Sequence, residues 1–310
     1  MRQDIVILGV FVADTAYRAA RQPHMGETIL GDSFALGPGG KGSNQAVAAA
    51  RASGSAGGKV HFITRLGRDP FADMARATWS EAGVIPVVTE DPDSYTGAAY
   101  IFVEAGSGDN AIIVSPGAAG NISAADVEAQ SALIHRAAVF VTQLEQPMDA
   151  ALRGLELARQ GGARTILNPA PAAPVSDAML SLCDIVTPNE TEAEGITGVK
   201  VATRADAEAA ADRFLERGVG AAIITLGEKG ALYRDRTTTF HIPALSAGPV
   251  LETTGAGDAF NGGLAVAIAQ GLEPEDAVRF GCATAGISVT RAGTAPSMPS
   301  LSEIMALLGA

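Results

Sequence analysis

The stretch Ile5-Val-Ile-Leu-Gly-Val-Phe-Val-Ala-Asp14 decides how the chain folds. Its first four residues are an uninterrupted apolar, β-prone run without polar alternation, the pattern of a strand buried on both faces of a parallel sheet. A glycine and then an acidic residue beyond such a strand mark the carboxyl edge of the sheet, where doubly wound folds bind ligands. The run is not read as the core of a signal peptide, because Asp4 offsets Arg2 and no basic segment precedes it.

Outward from this strand, short apolar runs recur at Val60 to Thr64, Ala138 to Gln143, Thr165 to Asn168, Asp184 to Thr187 and Ala222 to Leu226. Ala-rich helical stretches separate them at Ser43 to Ala52, Phe71 to Ala82, Ala124 to His135, Asp149 to Arg159 and Ala205 to Arg217, and two more follow at Asp258 to Gln270 and Pro274 to Val289. The alternation predicts an α/β fold: a doubly wound, mostly parallel sheet with helices on both faces. Two segments break it. Thr15 to Leu36 carries a strand-like Thr28 to Ala35, and Thr96 to Ser115 reads as a hairpin in which Tyr100-Ile-Phe-Val and Ala111-Ile-Ile-Val flank Gly106-Ser-Gly-Asp-Asn. Residues 15–36 and 96–115 are therefore expected to form a small discontinuous β-sheet lid, and residues 1–14, 37–95 and 116–310 the large α/β domain.

The 310 residues fit that plan, one large domain with an appendage, at about 150 residues per domain. Lys plus Arg number 22 against 34 Asp plus Glu, and the net charge of −12 excludes a global basic field for nucleic acid or acidic lipid. Cys183 and Cys282 have neither disulfide-framework nor zinc spacing, which favours a reducing, cytoplasmic setting. No run approaches the ~20 apolar residues that cross a bilayer.

Chemistry concentrates in glycine-rich stretches. Gly37-Pro-Gly39-Gly40-Lys41-Gly42 matches G-x-G-x-x-G formally, but it follows a lid strand, no acidic residue stands ~20 positions on, and no Ser or Thr follows Gly40-Lys41, so neither a dinucleotide site nor a Walker loop is expected. It reads instead as a turn delivering Lys41 and Asn44 to the start of a helix. In Glu252-Thr-Thr-Gly255-Ala-Gly257-Asp258-Ala-Phe-Asn-Gly-Gly, small residues stand just before a helical run, so free N–H groups and the helix dipole converge on a spot suited to phosphate. Asp258 there is either an ordinary N-terminal helix partner or a carboxylate placed to accept a hydroxyl proton. Asn189-Glu190-Thr191-Glu192 reads either as a capping box or as oxygen ligands for Mg²⁺ at the sheet edge.

Together these stretches resemble the ribokinase/PfkB family of carbohydrate kinases. Gly39-Gly-Lys-Gly-Ser-Asn-Gln-Ala-Val-Ala is similar to its first signature and Thr254-Gly-Ala-Gly-Asp-Ala-Phe-Asn-Gly to its second. Asn168-Pro-Ala-Pro, Thr187-Pro-Asn-Glu-Thr-Glu-Ala-Glu and Ile224-Thr-Leu-Gly-Glu-Lys-Gly lie between in the family's order, so the resemblance spans essentially the whole chain. It implies transfer of the γ-phosphoryl group of ATP to a sugar hydroxyl, with D-ribose to D-ribose 5-phosphate as the leading reaction, and a lid that also makes a homodimer. By the resemblance Asp258 is the catalytic base, and Gly255, Ala256 and Gly257 form the anion hole. Val12, Asp14, Gly40, Lys41, Asn44 and Glu145 match sugar-contacting positions. Asn189, Thr225, Gly227 and Gly230, with Gly257, match nucleotide positions, and Glu192 serves Mg²⁺. A K⁺ site would involve Glu252, Thr254, Ser288, Arg291, Gly293 and Ser297.

The sequence departs from the family pattern twice. Val12 stands where an Asn usually precedes the sugar-binding Asp, which removes one hydrogen bond and keeps 2-deoxyribose, another pentose, a ketohexose or a nucleoside open as acceptor. Glu252 replaces the usual Asp of the monovalent-cation site, keeping the charge but adding a methylene. A non-catalytic sugar sensor on the same scaffold is the reading from another class, opposed by the intact Asp258 and its glycines.

Overall fold

The computed structural model describes residues 3–55 and 57–309. Among them, β1 (Ile5–Leu8), β4 (Val60–Leu66), β5 (Ile85–Glu90), β8 (Val139–Thr142), β9 (Arg164–Leu167), β10 (Ile185–Val186), β11 (Ala221–Thr225), β12 (Ala231–Asp235) and β13 (Thr239–Ile242) form one sheet ordered β13-β12-β11-β10-β9-β8-β1-β4-β5. All its pairs are parallel except β11–β12 and β12–β13. The second sheet holds β2 (Val12–Ala19), β3 (Ser33–Gly39), β6 (Thr96–Glu104) and β7 (Asn110–Gly117) in the order β3-β2-β6-β7.

β1 divides the large domain into its two cores. Ile5 and Ile7 pack under α1 (Lys41–Ser53), α2 (Pro70–Ala82), α9 (Ala256–Ala269), α10 (Pro274–Ser288) and α11 (Leu301–Leu308). Val6 and Leu8 pack on the opposite face, under α3 (Ala124–Glu128), α4 (Ser131–Ile134), α5 (Met148–Gly161), α6 (Asp177–Leu180), α7 (Glu190–Thr197) and α8 (Arg204–Glu216). All four side chains are at most 1% exposed, as a period-2 strand covered on both faces requires.

Local chemistry sets the element ends. Asp69 caps α2 by accepting the Ala72 N–H at 2.9 Å, Pro70 opens the helix, and left-handed Gly83 closes it. Trp79 on α2 fills the space between Phe11 and Phe62 and donates its indole N–H to Ser43 Oγ at 2.9 Å, tying α2 to α1. α1 and α9 cross closely at Gly262, where a Cβ would stand 2.5 Å from Ala48 Cβ and 2.8 Å from the Gln45 carbonyl oxygen.

Several expectations need correction. The strand expected over Thr28 to Ala35 runs instead from Ser33 to Gly39, because pairing with β2 begins at Ser33↔Arg18. Gly37-Pro-Gly39 is thus the end of β3 rather than a turn, and Pro38 is tolerated because β3 is an edge strand. The small-sheet strands reach Val12, Gly39 and Gly117, beyond the expected limits. The helix expected over Ala124 to His135 is two short pieces that share one apolar face, with Val127 and Ile134 buried. β5, β12 and β13 at the sheet margins and the short helices α6, α7 and α11 carried too little apolar periodicity to be read. The expected hairpin is present, with Tyr100 opposite Ile113. No helix among the described residues is long and apolar enough to cross a membrane.

The crossing at Gly262 generates a prediction. Gly262→Ala forces α1 and α9 apart and lowers unfolding free energy by about 1–3 kcal/mol in urea titration, as overpacking does. An unchanged midpoint would show that the helices can separate freely.

Candidate active site

Asp258 is the third residue of α9 and is 7% exposed. It caps nothing. Its Oδ2 accepts the Asn44 Nδ2 amide at 3.0 Å and its Oδ1 the Gln45 Nε2 amide at 3.1 Å, so two consecutive side chains of α1 hold both oxygens. Gly255 precedes the helix in the left-handed conformation (φ 81°) that glycine adopts readily, and no side chain caps this end. A Cβ on Gly257 would meet nothing within 4 Å. Apart from the Ala256 N–H, which donates to the Thr253 carbonyl at 3.2 Å, the first N–H groups of α9 therefore border open space beside a buried carboxylate, and the positive end of the helix dipole points there.

Asp14 arrives from β2 on the same strand face as Val12, two residues away. Their cross-strand partners are Gly37 and Gly39 of β3, and the Asp14 carboxyl lies over Gly39, occupying the volume a Cβ there would need. Val12 is 5% exposed and also abuts Gly97 of β6. Gly40 turns the chain into α1, and the Lys41 N–H donates to Glu145 Oε2 at 2.8 Å.

These groups titrate as one cluster. Burial pushes Asp14 up to about 6, and the Asp258 charge pushes the same way. Glu145 is pushed up to about 7 by burial, opposed by Lys41 and its N–H and reinforced by Asp258 and Asp14. Burial also raises Asp258, against the pull of Lys41, Asn44 and Gln45. Glu192 is raised by burial, against the Asn189 N–H and Lys41. Burial works against the Lys41 ammonium, yet Asp258, Glu145 and Glu192 around it hold its pKa above the ordinary value. One lysine thus stands among carboxylates from α7, α9 and the segment after β8.

The nucleotide candidates form a second group along the sheet edge. Asn189 bridges Thr225, whose N–H donates to the Pro188 carbonyl at 2.9 Å, and left-handed Gly227 and Gly230 bound the turn beyond β11. The capping box is real: Asn189 Oδ1 accepts the Glu192 N–H at 2.8 Å, and Glu192 Oε2 accepts the Asn189 N–H at 2.9 Å. It occupies one oxygen of Glu192 and leaves Oε1 for a hydrated Mg²⁺, consistent with the hard-oxygen chemistry that ion prefers.

The third group is looser. Glu252 Oε2 accepts the Gly293 N–H at 2.8 Å and forms no ion pair among the described residues, so a carboxylate without a basic partner stands in this loop. Arg291 turns away to Glu303, while the Ser288 and Ser297 hydroxyls donate to the Ala285 and Thr294 carbonyls at 2.9 and 2.7 Å. Thr254 is exposed. The two hydroxyls are thus spent on main-chain carbonyls, and Glu252 is the one acidic group among these residues.

The sequence reading did not single out Gln45, Gln143, Asn168 or Asn261, all buried and hydrogen-bonded around Asp258 or Gly257. Gln45 and Asn261 lie within the two signatures and Asn168 within Asn168-Pro-Ala-Pro, but nothing local distinguishes a positioned amide from a solvated one.

The raised carboxyl of Glu145 makes a testable demand on stability. It ionises near pH 4.5 when unfolded and near 7 when folded, so its charge opposes the fold increasingly between those values and fully above pH 7. Glu145→Gln, which keeps an acceptor for the Lys41 N–H, is expected to gain about 1–2 kcal/mol over the parent at pH 8 and nothing at pH 4.5, read by urea unfolding. A gain independent of pH contradicts the assignment.

Comparison with known proteins identifies the family of the chain. Residues 2–301 match the model of the pfkB family carbohydrate kinases. The chain is 37% identical over 312 residues to the ribokinase of Haemophilus influenzae, covering 99% of both, and 36% identical to the deoxyribokinase of Salmonella typhi, covering 97% of both. Among solved structures it superposes on Arabidopsis thaliana ribokinase complexed with ribose and ATP with a TM-score of 0.90, at 28% identity and 99% coverage of each chain. It superposes on Thermotoga maritima ribokinase with a TM-score of 0.88, at 32% identity and coverage of 99% of this chain and 100% of that one. The chain belongs to the pfkB family of carbohydrate kinases.

Proposed function

We propose that this chain is an ATP-dependent ribokinase that converts D-ribose to D-ribose 5-phosphate. The observation that carries this reading is the convergence of Asp14, Lys41, Asn44 and Glu145 on Asp258 beside the open start of α9. The ribokinase relatives, and the neighbour whose structure holds ribose and ATP, support the acceptor and donor.

In this reading Asp14, Lys41, Asn44, Glu145 and the Gly40 turn hold the sugar so that its 5-hydroxyl meets Asp258. The carboxylate takes the hydroxyl proton as the oxygen bonds to the γ-phosphorus. The bond from that phosphorus to the bridging oxygen breaks, and ADP leaves. The N–H groups of Gly255, Ala256 and Gly257 receive the charge on the transferring group, where positioning and electrostatics supply most of the catalysis. Asn189, Thr225, Gly227 and Gly230 hold the nucleotide. Mg²⁺, which neutralises phosphate charge when bound, would be held near Glu192. K⁺ would take Glu252 and neighbouring carbonyls.

The small sheet, with residues 15–36 and 96–115 at its heart, serves as a lid over the sugar through the face that carries Val12 and Asp14. Its opposite face exposes Tyr17, Phe34, Leu36 and Ile113, with the Tyr17 ring 5.0 Å from Phe34 and 5.7 Å from Tyr100. An apolar sheet face of this kind is suited to a second copy of the chain. Sedimentation at micromolar concentration is expected to give a homodimer that Tyr17→Glu dissociates, and a parent monomer would contradict it.

The reading is tested by coupled ADP release with ribose, 2-deoxyribose, fructose and a nucleoside, with and without K⁺. Ribose should be the best acceptor. Because Val12 offers no hydrogen bond, Val12→Asn should raise the ribose to deoxyribose ratio of kcat/KM about three- to tenfold. Asp258→Asn should lower kcat at least about a hundredfold with substrate binding within about tenfold. Near-normal turnover of a folded Asp258→Asn variant removes the base assignment, and an unchanged acceptor ratio removes Val12 from sugar recognition.

A further inference from the structure

Gln45, Asn168, Thr187 and Asn261 are between 0 and 6% exposed, and none is needed to touch sugar or nucleotide in the reading above. Their hydrogen bonds nevertheless close a circuit. The Gln45 Nε2 amide donates to Asp258 Oδ1 at 3.1 Å and to Asn168 Oδ1 at 3.0 Å. Asn168 Nδ2 donates to the Thr187 carbonyl at 3.0 Å, and Thr187 Oγ1 donates to Asn261 Oδ1 at 2.7 Å. Asn261 Nδ2 then donates to the Gly257 carbonyl at 2.8 Å, and that carbonyl belongs to the peptide whose N–H is that of Asp258. Gln143 adds a bond from its Nε2 to Gln45 Oε1 at 2.6 Å, which fixes which end of the Gln45 amide faces Asp258.

Gln45, Asn168 and Asn261 each use the oxygen as acceptor and the nitrogen as donor, whereas Gln143 takes part through its nitrogen alone and its Oε1 is buried without a partner among the described residues. Turning any one of them over would set like groups face to face, so the circuit has one arrangement. It is also wide, running from α1 across the ends of β9 and β10 to α9. Apolar side chains could fill these buried positions without the cost of satisfying so many polar groups.

We propose that this circuit is a positioning device, in which Gln45, Thr187 and Asn261 hold the Asp258 carboxylate in register with the Gly257 peptide of the anion hole. The inference rests on Asp258 being the base and the start of α9 receiving the phosphoryl group. In-line transfer needs the hydroxyl acceptor and the phosphate donors fixed relative to each other, and small misplacements are costly in rate. Gln45 additionally favours the ionised form of Asp258. The other charged groups facing that carboxylate are Lys41 from α1, Asp14 from β2, Glu145 from the segment after β8 and Glu192 from α7.

The decisive comparison is Thr187→Val against Thr187→Ser in the full chain, with ribose and ATP as substrates. Valine keeps the shape and loses the hydroxyl, whereas serine keeps the hydroxyl. Thr187→Val is expected to lower kcat about five- to twentyfold with both KM values within about twofold, and Thr187→Ser to retain kcat within about twofold of the parent. Gln45→Met should also lower kcat and move the acidic limb of its pH profile upward by about half a unit or more, because a donor to the carboxylate is lost. Equal kcat for the valine and serine variants overturns the proposal, as does a loss confined to KM. An unshifted acidic limb in a folded Gln45→Met protein removes Gln45 from the device. Asp258→Asn separates the two readings: if it is inactive while Thr187→Val turns over like the parent, only the circuit fails, and if it is active, the base assignment fails.

Discussion

The site depends on the contact between the Asp258 carboxylate and the amides of Asn44 and Gln45, residues 214 and 213 positions away in the chain. It exists because α1 and α9 approach until Gly262 touches Ala48 and the Gln45 carbonyl, closer than any larger residue would permit. Most of what surrounds the site serves that approach. Trp79 ties α2 to α1 through Ser43, β1 provides a floor buried on both faces, and the start of α9 carries no side-chain cap.

Electrostatics explains why this cluster is poised rather than comfortable. Asp14, Glu145, Glu192 and Asp258 are all pushed toward their neutral forms, chiefly by burial, and one lysine answers them. Such an arrangement weakens the fold at neutral pH. Burial of unpaired carboxylates with raised pKa values in a cleft marks functional sites generally, and here motif and geometry converge on the same residues.

The fold was legible where sequence periodicity is strong. Ile5 to Leu8 reads as a strand covered on both faces, and the Ala-rich stretches read as its helices, although Ala124 to His135 divides into two short pieces. The margins were less legible: β5 contains Pro86, β12 and β13 reverse direction, and Thr28 to Leu30 look β-prone yet find no partner. The site divides along the same line. Asp258, its glycines, Lys41 and Asn44 stand in local patterns that betray their chemistry. Gln45, Thr187 and Asn261 do not, because an amide or hydroxyl gains its meaning from a partner far along the chain. Asn189 and Glu192 were legible as a capping box and as ligands, and the structure satisfies the first while leaving room for the second. The six residues expected around K⁺ were legible only through resemblance, and among them Gly293 donates to Glu252 and the Arg291 N–H to the Ser288 carbonyl.

The central claim is that one buried carboxylate, held from α1, faces both the sugar hydroxyl and the phosphate cradle at the start of α9. The most direct measurement is a crystal structure of the chain with ribose and a non-hydrolysable ATP analogue. The account predicts the ribose 5-hydroxyl within hydrogen-bond reach of Asp258, about 2.6–3.2 Å, with the terminal phosphate over the N–H groups of Gly255 to Gly257. A sugar bound with its 5-hydroxyl remote from Asp258, or a phosphate seated away from the start of α9, would contradict it.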